Sequence, residues 1–566
     1  FYSNINLEIK FLSEREWKRS LLNGLIKSEK NKKDSNHWRR FTSKSKRHSS
    51  LVLVNVPNKF KCKIKARIRT HGDLMDQRDS SLLPSLNVHL NNGHLFGITK
   101  FILFIPKSRN YENEIFASKI FEEVGILSPK TRFINLNYGK SVKKFIFQEK
   151  IHKEFLESNS LREGPILEGD ERFLFWDPRH SQHLSKNKIV NVNWSEKGKP
   201  NYEISEYSIS LLNHINQLYQ SKEINDDFDY FTLGKKFFKK NLFNNLDIMD
   251  SLAIAMGSNH TMPRNERRFY FDPLSKTYSP IYYDGMFNIL DKGNINYFLQ
   301  NEKEMIIPSV KNGAKKSLEL INNLNVLKLH EKLNSSGVKI SLDQTKKKVI
   351  QIKNNLIKIK DFEDKKIISV NFNKTRNAYI NHNENYNQSI KRKLIFYSDN
   401  FNNYLKCNIY GKNCIETKLK EKEKIKLINQ ELTDRDGNHL IFIGKRKKGN
   451  PSENWIYQEY FFQPNNFKLL ENNVKILKYG QPEIKINKND KKIFIKRNNL
   501  NDKVIFSGGN LNDWHIKMED FSLFKNQYYS GIDKNNLTGC LNFYDIEVKN
   551  LTLVYENSKC EDAINF

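Results

Sequence analysis

The chain has 566 residues, with 95 Lys and Arg against 64 Asp and Glu, for a formal charge of +31. At ~150 residues per domain that length suggests roughly three or four domains. With 38% hydrophobic residues, 38 Phe and 24 Tyr, it is not a disordered chain overall. Its scarce Gly and Pro exclude collagen-like and Pro-rich architectures, and no run approaches the ~18 apolar residues of a membrane-spanning helix.

The positive charge suits nucleic acid, an anionic surface or an acidic polymer. However, Lys, Asn and Ile are inflated together, as an AT-rich genome would inflate them. The charge also reads as dispersed, and no zinc-finger, RNA-recognition or basic-zipper pattern occurs, so nucleic acid is not the expected partner. The cysteines Cys62, Cys407, Cys414, Cys540 and Cys560 are too few for a disulfide scaffold and lack metal-ligand spacing. The chain opens at Phe1 without an initiator Met and stops at Phe566 inside an alternating run. The expectation is a piece of a longer protein.

Residues 1–50 read as a polar, basic lead-in. Alternation then predicts strands at Leu51–Val54, Lys63–Arg69 and Ser85–Leu90, followed by an apolar strand at Phe101–Ile105 ended by Pro106. Helical spacing of Ile115, Phe116, Ile120 and Val124 predicts a helix over Glu112–Val124, with Gly125 as its left-handed cap. Strands follow at Arg132–Leu136 and Lys144–Glu149. Helices are expected over 204–219 and 246–256, then a hairpin of Arg267–Phe271 with Thr277–Tyr283, and a helical stretch from about Ala314 to Ile359.

The chemistry concentrates in Asn259-His260-Thr-Met-Pro-Arg-Asn265, the hairpin, and Tyr283-Asp284-Gly285. If the hairpin turn is centred between Leu274 and Ser275, Asn265 faces Asp284, because antiparallel partners are directly opposed. An amide oxygen and a carboxylate converging there suit Mg²⁺ alongside substrate phosphates. His260 precedes Asn265 by the spacing that separates the catalytic Asp from the metal-binding Asn in kinase catalytic loops, where a second metal-binding Asp lies on a later segment.

An ordered set of segments resembles the CotH (spore coat protein H) kinase family of atypical, two-lobed protein kinases. They are Ala66-Arg-Ile-Arg-Thr-His-Gly-Asp73, Pro84–Leu90, Phe96–Leu103, Glu112–Pro129, Arg132–Leu136, Phe147–Lys150, Lys153–Leu156, the loop at 259–265 and Tyr283-Asp284. The resemblance covers about 55–310 and implies binding of ATP and Mg²⁺, with transfer to Ser/Thr of a protein substrate. It implies His260, preceded by Asn259, at the base position, and Asn265 and Asp284 as metal ligands. Glu149 would orient a cation, Arg109 and Glu114 would approach phosphates, and Arg67, Lys65 or Lys100 would supply a cation. Two departures stand out. His260 replaces the expected Asp, and the family's basic strand here carries Pro84, Asn87 and His89, which leaves a pseudokinase as an alternative.

The segments Thr538–Leu553 and Cys560–Asn565 resemble coils of a right-handed parallel β-helix, with Cys540 and Cys560 stacked on adjacent coils. That resemblance favours an extracytoplasmic or cell-surface location and an anionic glycan as partner. The fold class expected is thus α+β. Its parts are a lead-in (1–54), a kinase-like N-lobe (55–165), a helical C-lobe with the catalytic hairpin (166–365), a β-rich connection (366–482) and the start of a truncated β-helix (483–566). A non-enzymatic surface scaffold is the alternative function.

Overall fold

The computed structural model describes residues 5–34, 46–56, 60–72, 83–138, 141–170, 187–220, 241–262, 266–291, 295–301 and 305–363, and, with shorter gaps, much of 392–556. It divides into two compact units, one of Phe1–Glu171, Asn187–Ser208 and Gly234–Val370, the other of Arg172–Lys186, Ile209–Leu233 and Asn371–Phe566. No helix among the described residues is long and apolar enough to cross a membrane.

The first unit begins with a closed barrel. Its strands are β1 (Asn6–Phe11), β2 (His48–Val56), β3 (Phe60–Thr70), β4 (Leu86–Leu90), β5 (Lys100–Phe104), β6 (Thr131–Tyr138) and β7 (Ser141–Glu149). They run in the order β1-β2-β3-β4-β5-β7-β6, and β1 closes the ring by pairing parallel to β6. The period-two side-chain pattern builds its interior. Val52 and Val54, Ile64 and Ile68, Phe101 and Leu103, and Phe145 and Phe147 all point into one apolar cluster.

The polar lead-in expected at 1–50 is corrected here. Alternating Ile5, Leu7 and Ile9 are buried against the other strands. Helix α1 (Glu14–Asp34) anchors itself by Trp17, whose ring stacks on Phe11 at 4.2 Å. Burying these side chains is worth about 1.5–3 kcal/mol each, which outweighs the solvated charges around them.

Helix α2 (Glu112–Glu123) follows β5. Gly125 takes φ +79°, as expected for a left-handed cap. Ile102 and Phe104 on β5 point away from the barrel interior yet are also buried, because this face of the sheet is covered too. Beyond β7, the short helix α3 (Lys153–Ser158) leads to a second sheet containing β8 (Ile166–Gly169), β9 (Asn187–Ile189), β10 (Arg268–Asp272) and β11 (Thr277–Ile281) in the order β11-β10-β8-β9. The β10–β11 ladder pairs Arg268 with Ile281 and Asp272 with Thr277, so the turn centre between Leu274 and Ser275 is as expected.

Helices α4 (Lys199–Gln220), α5 (Leu246–Ala255), α6 (Pro308–Asn322), α7 (Val326–Ser335) and α8 (Leu342–Lys360) complete the helical part. The helical stretch expected from 314 to 359 is therefore three helices. A Ser341–Gln344 capping box starts α8. Ser251 on α5 and Ser317 on α6 share a hydroxyl contact of 2.9 Å, and Asn355 on α8 donates to the Ala255 carbonyl at 2.7 Å.

Among the described residues the second unit holds three four-stranded sheets. The first, formed by β12 (Arg392–Ser398), β13 (Tyr404–Cys407), β14 (Ile415–Thr417) and β15 (His439–Arg446), includes a disulfide between Cys407 and Cys414. The other two begin with antiparallel strands, Lys475–Tyr479 on Lys503–Ser507 and Glu483–Asn487 on Lys492–Lys496. Parallel pairs follow, Lys492–Lys496 with His515–Glu519 and His515–Glu519 with Thr552–Glu556. The described residues therefore form mixed sheets and no β-helix, which corrects that expectation. Cys540 and Cys560 lie outside the described residues.

Gly313 on α6 lies so close to α5 that a Cβ there would overlap the Asp247 carbonyl. Gly313→Ala is expected to cost about 3 kcal/mol, the upper end for overpacking, read as a lowered midpoint in urea unfolding.

Candidate functional site

Arg109 sits in the single helical turn Pro106–Arg109 that follows β5. Pro106 ends the strand, and the next two residues, Asn110 and Tyr111, both take left-handed φ. That is a costly pairing for non-glycine residues and one that persists only where surroundings impose it. The Asn110 side chain is tied to the Phe287 carbonyl, and Asn113 bridges Asp291 and the Leu290 amide at 2.9 and 2.7 Å. The turn is thereby locked onto the segment that follows β11.

Its guanidinium, 3% exposed, forms an ion pair with Asp284. It also donates to the Tyr283 hydroxyl at 3.3 Å and stacks 4.1 Å from the Phe104 ring centre. Burial opposes its charge, but Asp284 outweighs burial and holds Arg109 firmly protonated. Glu114, on the first turn of α2, is fully buried and accepts from Gln148 at 2.9 Å. Burial pushes its carboxyl up, against the pull of Arg109.

Asp284 itself has a left-handed backbone. One carboxylate oxygen meets Arg109, while the other, Oδ1, is buried without a hydrogen-bond partner among the described residues; Asn288 Oδ1 is buried in the same way. The loop with His260 is fastened to this turn, because Ser258 donates its hydroxyl to the Gly285 carbonyl and accepts the His260 amide at 3.1 Å. Gly257 passes so close to Asn288 that a Cβ would strike its amide oxygen. His260 and Asn259 are half-buried, and their loop meets the turn of Asp284 through the Ser258 contact with Gly285. Asn265, the other expected metal ligand, lies outside the described residues. Among those residues no three of His, Cys, Asp and Glu gather as a metal set.

Glu149, Arg67 and Lys100, the remaining expected residues, lie on the barrel strands. Glu149 is buried and accepts from the Lys130 backbone amide at 3.2 Å, which fastens a strand end. Arg67 and Lys100 flank His89 in one row across β3, β4 and β5, and no hydrogen bond or ion pair joins them to the Arg109–Asp284 pair.

A second group was not legible as a motif. Arg268 on β10 pairs with Glu168 on β8 at 2.7 Å, and its guanidinium lies 3.4 Å over the Tyr283 ring. Lys188 on β9 adds a 3.1 Å contact to Glu168. Burial would raise the Glu168 carboxyl, yet Arg268 and Lys188 bring it down to about 2. Burial and Arg69 lower the Lys150 amine to about 8, and burial with Lys150 lowers His152 to about 2. His71 is pushed well down by burial and by Arg109, Lys150, Arg69 and Arg268. The cations of β3, the strand-end Lys150, β10 and the Arg109 turn thus share one basic region. They come from four separated segments, so spacing along the chain carried no signal of it.

No family model matches the chain, and no curated protein matches it. Among solved structures, that of the Helicobacter pylori proinflammatory kinase CtkA aligns with 49% of this chain and 94% of its own, at 14% identity and a TM-score of 0.20.

Removing Arg109 would strand Asp284 in a buried site. Arg109→Ala is expected to cost about 3–5 kcal/mol, and the double variant Arg109→Met/Asp284→Asn less than that, as measured by urea unfolding of all three proteins. The histidines give a pH signature. Native His152 stays neutral while the unfolded chain takes up a proton near the ordinary value of 6.5. Stability should therefore be full above that pH and fall as pH drops below it, by at most about 1.4 kcal/mol per pH unit for one histidine. His152→Gln should flatten the decline between neutral pH and the carboxylate range in melts followed against pH.

Proposed function

We propose that the first unit is a kinase-like domain that binds a nucleoside triphosphate, ATP, with Mg²⁺. The observation that carries this reading is the buried, unpartnered Oδ1 of Asp284, on a turn fastened through Ser258 to the loop of His260. A hard cation takes carboxylate and amide oxygens, so Asp284 fits Mg²⁺, with Asn265 as the partner assigned from the sequence. The metal would supply neutralisation of phosphate charge. The basic region would receive the phosphates, with Arg268, Lys150 and Arg69 in place of the lysines missing from β4. Arg109 would hold Asp284 in position through their ion pair, and His260 would accept the proton of a Ser/Thr hydroxyl.

One observation favours a second, noncatalytic reading, in which nucleotide binds without transfer. Arg109 already occupies the other oxygen of Asp284, and a neutral imidazole cannot reproduce a carboxylate's charge at the base position.

The test is thermal unfolding of the full chain with ATP and Mg²⁺, followed by transfer of labelled γ-phosphate to a protein acceptor. The melting temperature should rise by several degrees when ligand far exceeds its Kd. The rise should need Mg²⁺ and disappear in Asp284→Asn, whose fold is checked by circular dichroism. No shift in the parent protein, or an equal shift in Asp284→Asn, overturns the reading. Transfer that is lost in His260→Gln while binding persists supports the active form; binding without transfer supports the noncatalytic one.

A further inference from the structure

Strand β3 places Lys61, Lys63, Lys65, Arg67 and Arg69 on one face, because successive side chains alternate while Ile64, Ala66 and Ile68 fill the barrel. Lys61, Lys63, Lys65 and Arg67 are exposed. In a sheet, such charges commonly meet opposite charges on the adjoining strand. Here the register sets Lys61 against Asn55, Lys63 against Leu53, Lys65 against Leu51 and Arg67 against Ser49, with His89 on the other side of Arg67. Among the described residues, none of these four cations has an ion-pair partner. The strand is interior to the barrel wall, paired on both edges, so a partner can reach it only through its side chains.

We propose that this row is a docking surface for an extended, acidic segment of a protein. Alternate residues of an extended chain lie ~7 Å apart, so carboxylates at every second position of such a segment match the cations one for one. Arg67 adds a fork suited to carboxylate. Single-stranded nucleic acid is disfavoured, since its binding uses aromatic platforms for the bases. On β3, only Phe60, at the far end, exposes a ring. The row leads past His89, whose protonation burial and Lys100 disfavour, to Lys100, the cation next along the sheet. This deepens the kinase-like reading by naming an acidic protein as its substrate class, although the docking itself needs no nucleotide.

Fluorescence anisotropy of the full chain with a labelled twelve-residue peptide of alternating Glu and Ser tests it. The controls are a peptide of equal charge with its Glu in one block, a Gln-Ser peptide, and oligothymidylate of equal charge. The alternating peptide should bind tightest, weaken with salt, and bind at least tenfold more weakly to Lys61→Gln/Lys63→Gln/Lys65→Gln. That variant should melt like the parent because its changes are all on the surface. Unchanged binding in the variant, or tighter binding of the block peptide or of oligothymidylate, overturns the proposal. Asp284→Asn should bind the peptide normally, so failure of the nucleotide site and failure of this surface are read separately.

Discussion

The contact on which the site depends is the buried pair of Arg109 and Asp284. Neither group is tolerable alone in that environment, since an ion removed from water without its partner costs several kcal/mol. The pair therefore forces the chain on both sides into place. It draws the turn after β5 onto the segment after β11, holds two consecutive non-glycine residues in left-handed backbone, and sets Glu114 and Tyr283 around one guanidinium. Because Arg109 takes only one oxygen of Asp284, the same contact that secures the fold leaves an acceptor directed elsewhere.

How much of this was readable in the sequence follows from the range of each interaction. The hairpin register was legible because a tight turn fixes every pair after it, and the ladder from Arg268–Ile281 to Asp272–Thr277 obeys that rule. The strands β2 to β7 were legible from alternation or apolar runs. Strand β1 was hidden, since Ile5, Leu7 and Ile9 make a short pattern beside a long polar helix, and its value appears only when β6 lies alongside to close the barrel. The partnership of Arg109 with Asp284 and the gathering of Lys150, Arg69 and Arg268 have no local signature. The β-helix reading is matched in its parallel pairs, since Leu541–Tyr544 and Thr552–Glu556 both join their sheets in parallel. It departs where both C-terminal sheets begin antiparallel.

The net charge also takes on structure. As composition it is a diffuse excess, yet one strand collects its cations on a single face and faces them with Asn55, Leu53, Leu51 and Ser49. Among the described residues no ion pair offsets that row, whereas Arg268 and Lys188 near β8 pair with Glu168. The two groups therefore differ in how far neighbouring carboxylates offset them.

The sequence distance across the Arg109 contact has a consequence for the order in which the molecule is made. Arg109 and Tyr283 are 174 positions apart, so during synthesis the barrel strands emerge and meet long before the residues that neutralise the guanidinium exist. Loop closure over so long a stretch is entropically slow to reward. The contact of Arg109 is thus completed only after every strand of the barrel has been made.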